Sequence, residues 1–295
     1  MGGFRSVVVP LALILTLTQT SLALAEQIRF SAIGDYGDGS ALETAVANLV
    51  KGWGPDFIIT TGDNNYPKGE EETIDENIGR DYHTYIQGYA GDYGQGSSDQ
   101  KFYPSLGNHD WDCKKCNKYP KHYLKFFNFP KNKLYYEFVR GPVHFFALDS
   151  DSREPDGISE NSEQAKWLKK QLAKSTSRFN IVFFHHAPYV SGGHGPAKRL
   201  RWPFKQWGVD AVLTGHDHLY ERIIVDDLPY FVNGSGGAEL TQEYVEKPAQ
   251  GSKIRYNKMN GAMLITADEK SATFEFYNVK GEQIDRYVIT STHKH

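Results

Sequence analysis

Short apolar runs separated by polar loops are the dominant pattern along this chain of 295 residues. Five runs are nearly continuous in Ile, Val and Phe, as expected for strands that are buried on both faces. They cover residues 28–33, 57–61, 102–106, 181–184 and 211–214. Helical patterning is predicted between them, at residues 41–51, 73–88, 119–127 and 162–174. This alternation predicts an α/β fold in which the loops at the carboxyl ends of the strands meet at one edge.

The rest of the chain adds signals of antiparallel pairing. Residues 134–140 and 143–148 flank Gly141 and Pro142 as a predicted hairpin. Further strands are predicted at residues 230–233, 261–267, 272–278 and 283–289, whereas residues 88–101 and 234–253 are predicted to be long surface loops. Because no repeat or linker interrupts the pattern, we expect a single domain over residues 26–295.

The N-terminal segment has the pattern of an export signal. Arg5 precedes an apolar run at residues 7–15, and Ala23-Leu24-Ala25 stands just before Glu26. An uncleaved membrane anchor is the alternative, but a spanning helix needs about 20 mainly apolar residues. We therefore expect a signal peptide over residues 1–25 and a secreted or periplasmic protein with no stable membrane anchor.

Composition and cysteine content add two restrictions. The formal net charge is only −3 and no dense block of Lys and Arg occurs, so nucleic acid is not an expected partner. Cys113 and Cys116 are the two cysteines, and a local disulfide is the expected state in an oxidising compartment. A redox-active pair is the alternative, although the helix N-terminus expected beside such a pair is missing from the pattern.

Five polar motifs stand where predicted strands give way to loops. They are GDYG (34–37), GDNNY (62–66), GNHD (107–110), HHAP (185–188) and GHDH (215–218). Asp and Asn are common turn residues, so each motif alone has a structural explanation. Together they supply oxygen and imidazole donors that suit ferric iron, manganese or zinc. The set therefore predicts a hydrolase with two metal ions about 3.5 to 4 Å apart, which need a shared anionic ligand.

Asp63 is the expected shared ligand because it directly follows a predicted strand and has further donors beside it. Asp35, Tyr66 and one imidazole would complete one metal site. Asn108 and two imidazoles would complete the other.

The five motifs, in this order, make the chain resemble the calcineurin-like metallophosphoesterases, and more narrowly the small purple acid phosphatases of the tartrate-resistant type. A tyrosine three residues after the bridging aspartate distinguishes that type, and Tyr66 stands three residues after Asp63. The resemblance implies an α/β four-layer sandwich, in which two mixed β-sheets are flanked by helices. Trp111 and the cysteine pair depart from the family pattern beside the substrate face.

The resemblance also implies particular ligands. A ferric site would be formed by Asp35, Asp63, Tyr66 and His218. A divalent site would be formed by Asp63, Asn108, His186 and His216. His186 is preferred to His185 because the family ligand is followed by one residue and then proline, here Ala187-Pro188. His109 and His194 match histidines outside the metal shell that contact phosphate or protonate the leaving group.

The chemistry of Tyr66 agrees with this assignment. Tyrosine has an ordinary pKa of about 10, so it binds as phenolate only to a strongly acidic metal ion such as Fe(3+). The expected cofactors are Fe(3+) and a divalent Fe, Zn or Mn. The expected activity is that of an acid phosphatase, which hydrolyses phosphomonoesters by attack of a metal-bound hydroxide. A metal-dependent phosphodiesterase and an iron-binding or redox protein with incidental phosphatase activity remain alternatives.

One further motif has two interpretations. Asn233-Gly234-Ser235 has the form of a glycosylation site. Its Gly-rich setting after a predicted strand is interpreted more simply as a turn that lines the site.

Overall fold

The computed structural model describes residues 1–3, 27–114, 116, 119–127, 134–241, 244 and 247–291. Nearly all of the predicted signal peptide, residues 1–25, lies outside these ranges, so that prediction stays untested. Within the ranges, no helix has the length and apolar character needed to cross a membrane.

The described residues form thirteen strands and six α-helices. The strands are β1 (Ile28–Ile33), β2 (Phe57–Thr60), β3 (Phe102–Pro104), β4 (Tyr136–Arg140), β5 (Val143–Ala147), β6 (Phe179–His186), β7 (Ala211–Gly215), β8 (Tyr220–Val225), β9 (Leu228–Asn233), β10 (Ser252–Tyr256), β11 (Gly261–Ala267), β12 (Ser271–Asn278) and β13 (Gln283–Thr290). The helices are α1 (Ala41–Trp53), α2 (Glu71–Ile74), α3 (Arg80–Tyr82), α4 (Asn108–Trp111), α5 (Lys121–Phe126) and α6 (Glu163–Leu172).

Two mixed sheets organise these elements. The first has the strand order β13-β12-β11-β1-β2-β3, and the second has the order β10-β8-β9-β7-β6-β5-β4. In the first sheet β1, β2 and β3 run parallel to one another. In the second sheet β5, β6, β7 and β9 are also parallel. The carboxyl ends of the parallel strands carry the five polar motifs.

The sheets pack face to face through a core of aromatic and aliphatic side chains. Phe30 of the first sheet packs edge-on against Phe145 of the second, with ring centroids 5.0 Å apart. On the outer faces, Val46 of α1 and Leu168 of α6 belong to separate buried clusters. Each fully buried side chain of this size contributes about 1.5 to 3 kcal/mol. The layers are helix, sheet, sheet and helix, so the predicted four-layer sandwich is confirmed.

Helix α1 shows how local sequence sets an element boundary. The Ser40 side chain accepts a hydrogen bond from the Glu43 backbone N–H, which caps the N-terminus. Gly54 ends the helix in the left-handed conformation. The predicted helix at residues 41–51 is therefore confirmed and extends by two residues.

Two strands were not predicted. Strand β8 begins directly after the GHDH motif, and β10 begins inside the segment predicted to be a loop. Strand β10 is an edge strand with Lys253 and Arg255 among its five residues. Charged residues are common on edge strands, which hides the apolar alternation that sequence analysis relies on.

The predicted helix at residues 73–88 is broken into short pieces. Helix α2 passes into a π-helical turn at Asp75–Gly79, then into α3 and a 3₁₀ turn at His83–Tyr85. Asp75 in the π turn accepts hydrogen bonds from the Tyr89 hydroxyl and the Asp92 backbone N–H. These contacts tie the segment to the following loop instead of letting one helix continue. Cys113 and Cys116 form the expected disulfide.

Candidate metal centre

The loops after the parallel strands of both sheets meet at one edge of the sandwich. The Asp35 backbone N–H donates to Gly62 O at 3.0 Å, and the Tyr66 N–H donates to Gly37 O at 2.6 Å. The His216 N–H, from the second sheet, donates to the Asp35 carboxylate at 2.9 Å. The first, second and fifth motifs are therefore connected directly to one another.

The backbone at this edge is held in an uncommon conformation. Asp35, Asp63 and His216 have φ values of 56°, 52° and 73°. Left-handed backbone costs a residue with a side chain roughly 1 kcal/mol or more, and it tends to cluster at functional sites. The other two such residues in the described ranges form the Asp226-Asp227 turn between β8 and β9, where this conformation is normal for a tight hairpin.

Tyr66 is at the centre of the first group of donors, which we call the oxygen-rich half. Its hydroxyl lies 3.1 Å from Asp63 Oδ2, 3.4 Å from Asp35 Oδ1 and 3.1 Å from His218 Nε2. The opposite nitrogen, His218 Nδ1, lies 2.7 Å from Glu239 O. A backbone carbonyl in that position fixes the ring so that Nε2 faces the cluster.

His185 is at the centre of the second group, which we call the nitrogen-rich half. Its Nε2 lies 3.1 Å from Asn108 Oδ1, 3.2 Å from Asp63 Oδ2 and 3.1 Å from His216 Nδ1. Its Nδ1 is held by Thr61 O at 2.9 Å. Asp63 Oδ2 thus contacts both halves, which is the position expected of a shared ligand.

His185 and His186 occupy different positions. His186 Nδ1 lies 2.9 Å from Ser150 Oγ, and the His186 ring stacks at a tilt 4.5 Å from the ring of His216. A ring nitrogen of each of His185, His186 and His216 lies within 4.8 Å of the others, so His186 borders the cluster. The short contacts to Asp63 and Asn108 belong to His185, while the assignment of His186 as a metal ligand stays a prediction.

Strand β6 carries both histidines at its carboxyl end. Side chains on a strand alternate between the two faces. Ile181 and Phe183 point into the core between the sheets, whereas Val182 and Phe184 pack in the cluster that includes α6. The pairing of β6 with β7 shifts register between Phe183 and His186, so this alternation does not by itself place His185 on either face.

The electrostatics of the cluster favour cations. Burial raises the pKa of Tyr66 well above its ordinary value, and the charges of Asp63 and Asp35 raise it further. Burial likewise raises the pKa of Asp35. Burial lowers the pKa of His185, but Asp63 and Asp35 outweigh that effect and raise it to about 10. Two buried carboxylates thus attract positive charge from the surrounding groups.

The imidazoles of His216 and His186 are neutral and can donate a lone pair. Burial, followed by the charge of His185, lowers the pKa of His216 to about 2 and that of His186 to about 3. Donor atoms near 3 Å from one another are spaced as ligands around one ion, since zinc binds nitrogen and oxygen at about 2.0 to 2.2 Å. The donor set, its burial and its spacing fit a pair of metal ions.

His109 and His194 lie beside the cluster without entering it. The His109 backbone N–H donates to Asp63 Oδ1 at 2.9 Å, and its ring centroid is 4.4 Å from that of Tyr66. The His194 ring lies 4.6 Å from His216, and its backbone N–H donates to Asp217 Oδ1 at 3.1 Å. Both positions suit contact with a ligand of the metals.

Buried polar residues within and beside the motifs support the cluster, and the sequence analysis gave Asp110 and Asn64 no role of their own. Buried Asp110 accepts hydrogen bonds from the Gly107 N–H and from the Asn64 side chain, both at 2.8 Å. Burial, reinforced by the charge of Asp63, raises its pKa to about 7. Asn233, which belongs to the possible glycosylation site, is fully buried and donates to Ala32 O at 2.8 Å. The turn interpretation of that segment agrees with the structure.

Comparison with known proteins places the chain in a family. The family model described as calcineurin-like phosphoesterase matches residues 28–220, which include all five motifs. Purple acid phosphatase 17 of Arabidopsis thaliana is 26% identical, over 89% of this chain and 84% of the relative. Tartrate-resistant acid phosphatase type 5 of Rattus norvegicus is 29% identical, over 76% of this chain and 77% of the relative.

A solved structure agrees on the fold. GAP50, the anchor in the inner membrane complex of Plasmodium, superposes with a TM-score of 0.69 at 20% identity, over 91% of this chain and 90% of that protein. The chain belongs to the calcineurin-like phosphoesterase family, and its resemblance to the purple acid phosphatases is confirmed. It is a hydrolase of the phosphoesterase class.

Proposed function

We propose that this member of the calcineurin-like phosphoesterase family is an exported acid phosphatase with a dinuclear metal centre that hydrolyses phosphomonoesters. One observation carries the proposal. Asp63 Oδ2 lies 3.1 Å from the Tyr66 hydroxyl and 3.2 Å from His185 Nε2. A single carboxylate oxygen that contacts both groups of donors is what two adjacent cations require.

The two halves are proposed to hold different metals. The oxygen-rich half, formed by Asp35, Asp63, Tyr66 and His218, would hold Fe(3+). The nitrogen-rich half, formed by Asp63, Asn108, His185 and His216, would hold a divalent Fe, Zn or Mn. His185 takes the place for which the sequence analysis preferred His186. When bound, the pair would polarise the phosphate and activate water for attack.

Tyr66 makes the first half selective. Because burial and two neighbouring aspartates raise its pKa, the phenolate forms only against a strong positive charge. Ferric iron supplies that charge better than a divalent ion does. The oxygen-rich half therefore discriminates in favour of the trivalent ion.

His109 and His194 would act on the substrate. Each lies at the border of the cluster, beside Tyr66 and His216 respectively. A neutral imidazole there can donate its N–H to a phosphate oxygen, and an imidazolium can give a proton to the leaving oxygen. Hydrolysis of alkyl esters depends on such a proton, because an alkoxide is a poor leaving group.

Export is proposed on the pattern of residues 1–25. The Cys113–Cys116 disulfide suits an oxidising compartment. Mass determination of the protein collected outside the cytosol should give a mature chain that begins near Glu26. Recovery of full-length protein only from the cytosol would contradict this part of the proposal.

The activity is tested with an aryl phosphate at mildly acidic pH. The purified protein should turn over the monoester, lose activity after chelation and regain it when iron and zinc are restored together. A bis-aryl phosphodiester serves as the control substrate and should react much more slowly. A protein that keeps full activity after complete removal of metal, or that prefers the diester, would contradict the proposal.

A further inference from the structure

The segment that carries His194 is fixed from one side by a buried carboxylate that belongs to none of the five motifs. Glu221 lies on β8 and is fully buried. Its Oε2 accepts the Ser191 backbone N–H at 2.7 Å, and its Oε1 accepts the Ser191 hydroxyl at 2.6 Å. Both carboxylate oxygens of Glu221 are therefore directed at the residue that stands three positions before His194.

The same network extends to the neighbouring strand. The Ser252 hydroxyl on β10 donates to Glu221 Oε1 at 2.6 Å. The Ala249 backbone N–H donates to Ser191 Oγ at 2.8 Å. Gly192 forms an isolated antiparallel bridge with Tyr244. Ser191 is thus held by a carboxylate and by the chain that leads into β10.

The opposite side of the segment is also fixed. The His194 N–H donates to Asp217 Oδ1, and Gly192 packs so closely on Asp217 that a side chain at this glycine would collide with the carboxylate. Residues 191–194 therefore lie between Glu221 and Asp217. The backbone that carries the exposed His194 ring is therefore held on both sides.

The choice of glutamate at position 221 has a chemical reason. Three donors point at its two oxygens, namely the Ser191 N–H and the hydroxyls of Ser191 and Ser252. An ionised carboxylate accepts hydrogen bonds at both oxygens and donates none, so it satisfies all three. A glutamine has one oxygen and one NH₂ group, and must place a donor where the carboxylate accepted. A buried carboxylate is costly unless it is hydrogen-bonded in this way.

We propose that Glu221 is a positioning residue that sets the place of His194 at the metal centre, and so controls how well His194 serves the leaving group. The inference rests on the proposed function for its catalytic consequence. Its structural part, the fixing of residues 191–194 by Glu221, does not depend on any activity.

The structural part is tested by hydrogen exchange of the Glu221→Gln variant, followed by mass spectrometry of peptides that cover residues 190–197. We expect these amides to exchange at least about ten-fold faster than in wild type, because local opening becomes easier when the carboxylate is lost. Ser252→Ala is the matched control, since it removes a donor to Glu221 but no contact of Ser191. Unchanged exchange in Glu221→Gln, or equally faster exchange in Ser252→Ala, would overturn the proposal.

The catalytic part is tested by a double-mutant cycle with His194→Ala. With His194 present, Glu221→Gln should lower the rate of hydrolysis of an alkyl phosphate by at least about ten-fold, and that of a nitrophenyl phosphate much less. The metal content should be unchanged. In the His194→Ala background Glu221→Gln should have almost no further effect, because the residue that Glu221 positions is gone. An equal effect in both backgrounds would mean that Glu221 acts on the enzyme in another way and would overturn the inference.

A variant that does not fold and a wild type without activity each have a defined outcome. If Glu221→Gln does not fold, Ser191→Ala replaces it, because that change leaves the carboxylate in place and removes the Ser191 hydroxyl bond to Glu221, together with the acceptor of the Ala249 N–H. If wild type hydrolyses neither ester, the proposed function fails, and the exchange experiment still decides whether Glu221 fixes the segment.

Discussion

The two halves of the metal centre differ in their donors but share a construction. The oxygen-rich half takes Asp35 and Tyr66 from loops of the first sheet and His218 from the second. The nitrogen-rich half takes Asn108 from the first sheet, with His185 and His216 from the second. Each ion would therefore tie the two sheets together, while the donor types would decide which ion each half prefers.

The halves also differ in what opposes the binding of a metal. In the oxygen-rich half the Tyr66 proton must be displaced, and burial with Asp63 and Asp35 holds that proton tightly. In the nitrogen-rich half His216 is already neutral because burial lowers its pKa to about 2, but the His185 proton, which Asp63 and Asp35 hold, must also be displaced. A metal ion must therefore displace a proton in each half, and the phenol of Tyr66, which is the weaker acid, demands the more strongly acidic ion. Substitutions that affect one half or both can separate these roles.

Asp63→Asn should have the largest effect because it alters both halves. The amide carries no negative charge to share between two cations, so both metals should bind weakly and turnover should fall to the uncatalysed background. Metal content after dialysis and the rate with an aryl phosphate are the measurements. Retention of both ions at full occupancy would show that Asp63 does not bridge.

The adjacent pair His185→Ala and His186→Ala gives the next largest effect and separates the two histidines. His185→Ala should release the divalent ion and keep iron, because its Nε2 faces Asn108 and Asp63. His186→Ala should keep both ions and lose roughly 10- to 100-fold in activity at most, as changes outside the ligand shell do. Loss of the divalent ion from His186→Ala, with both ions retained in His185→Ala, would restore the original sequence-based choice.

Tyr66→Phe should have a moderate effect that is confined to the oxygen-rich half. A phenolate on ferric iron absorbs visible light by charge transfer, so the variant should lose the pink to purple colour of the oxidised protein. Iron should remain, more weakly bound, because Asp35, Asp63 and His218 are unchanged. The visible spectrum at known iron content decides this, and a wild type that is colourless with iron bound would contradict the assignment.

Glu43→Gln should leave both halves intact and change only the pH dependence of stability. Burial chiefly, then the charges of Asp81 and Asp38, raise the pKa of Glu43 from 4.5 to about 9, against the opposing Gly39 N–H and Arg80. The folded state therefore holds this proton more tightly than the unfolded chain does. Its stabilising contribution is complete below about pH 4.5 and is lost as the pH rises towards about 9.

Urea unfolding at several pH values measures this effect. Each unit of pKa difference is worth about 1.4 kcal/mol, so wild type should lose stability relative to Glu43→Gln between mildly acidic and mildly basic pH. Wild type and Glu43→Gln should have similar free energies of unfolding near pH 5. If the free energy of unfolding depended on pH in the same way for both proteins across the whole range, Glu43 would keep an ordinary pKa in the folded state.

The sequence predicted those parts of the molecule that local patterning controls. The apolar runs identified β1, β2, β7 and the antiparallel strands β11 to β13, because buried strands require continuous or alternating apolar residues. Edge strand β10 was missed because Lys253 and Arg255 interrupt its apolar residues, and the predicted helix at residues 73–88 is broken where Asp75 is held by the following loop. Neither the edge position of β10 nor the loop contacts of Asp75 can be recognised from the neighbouring residues in the sequence.

The candidate metal centre also combines residues that local sequence predicts with residues that only long-range contacts reveal. Most of the proposed ligands could be identified because each follows a strand, but the contacts of His185 with Asp63 and Asn108 follow a register shift in β6 that the sequence does not reveal. Glu221 could not be found from the sequence, since its partners Ser191 and Ser252 come from distant segments. Long-range contacts of this kind become visible only when the chain is folded.

The central claim is that one cluster holds two metal ions, and counting them tests it most directly. Elemental analysis of purified, gel-filtered protein should give two tightly bound ions per chain, one of which is iron. The same preparation should hydrolyse an aryl phosphate, with activity that falls as the second ion is removed. One ion per chain, or none, in a fully active preparation would contradict the account.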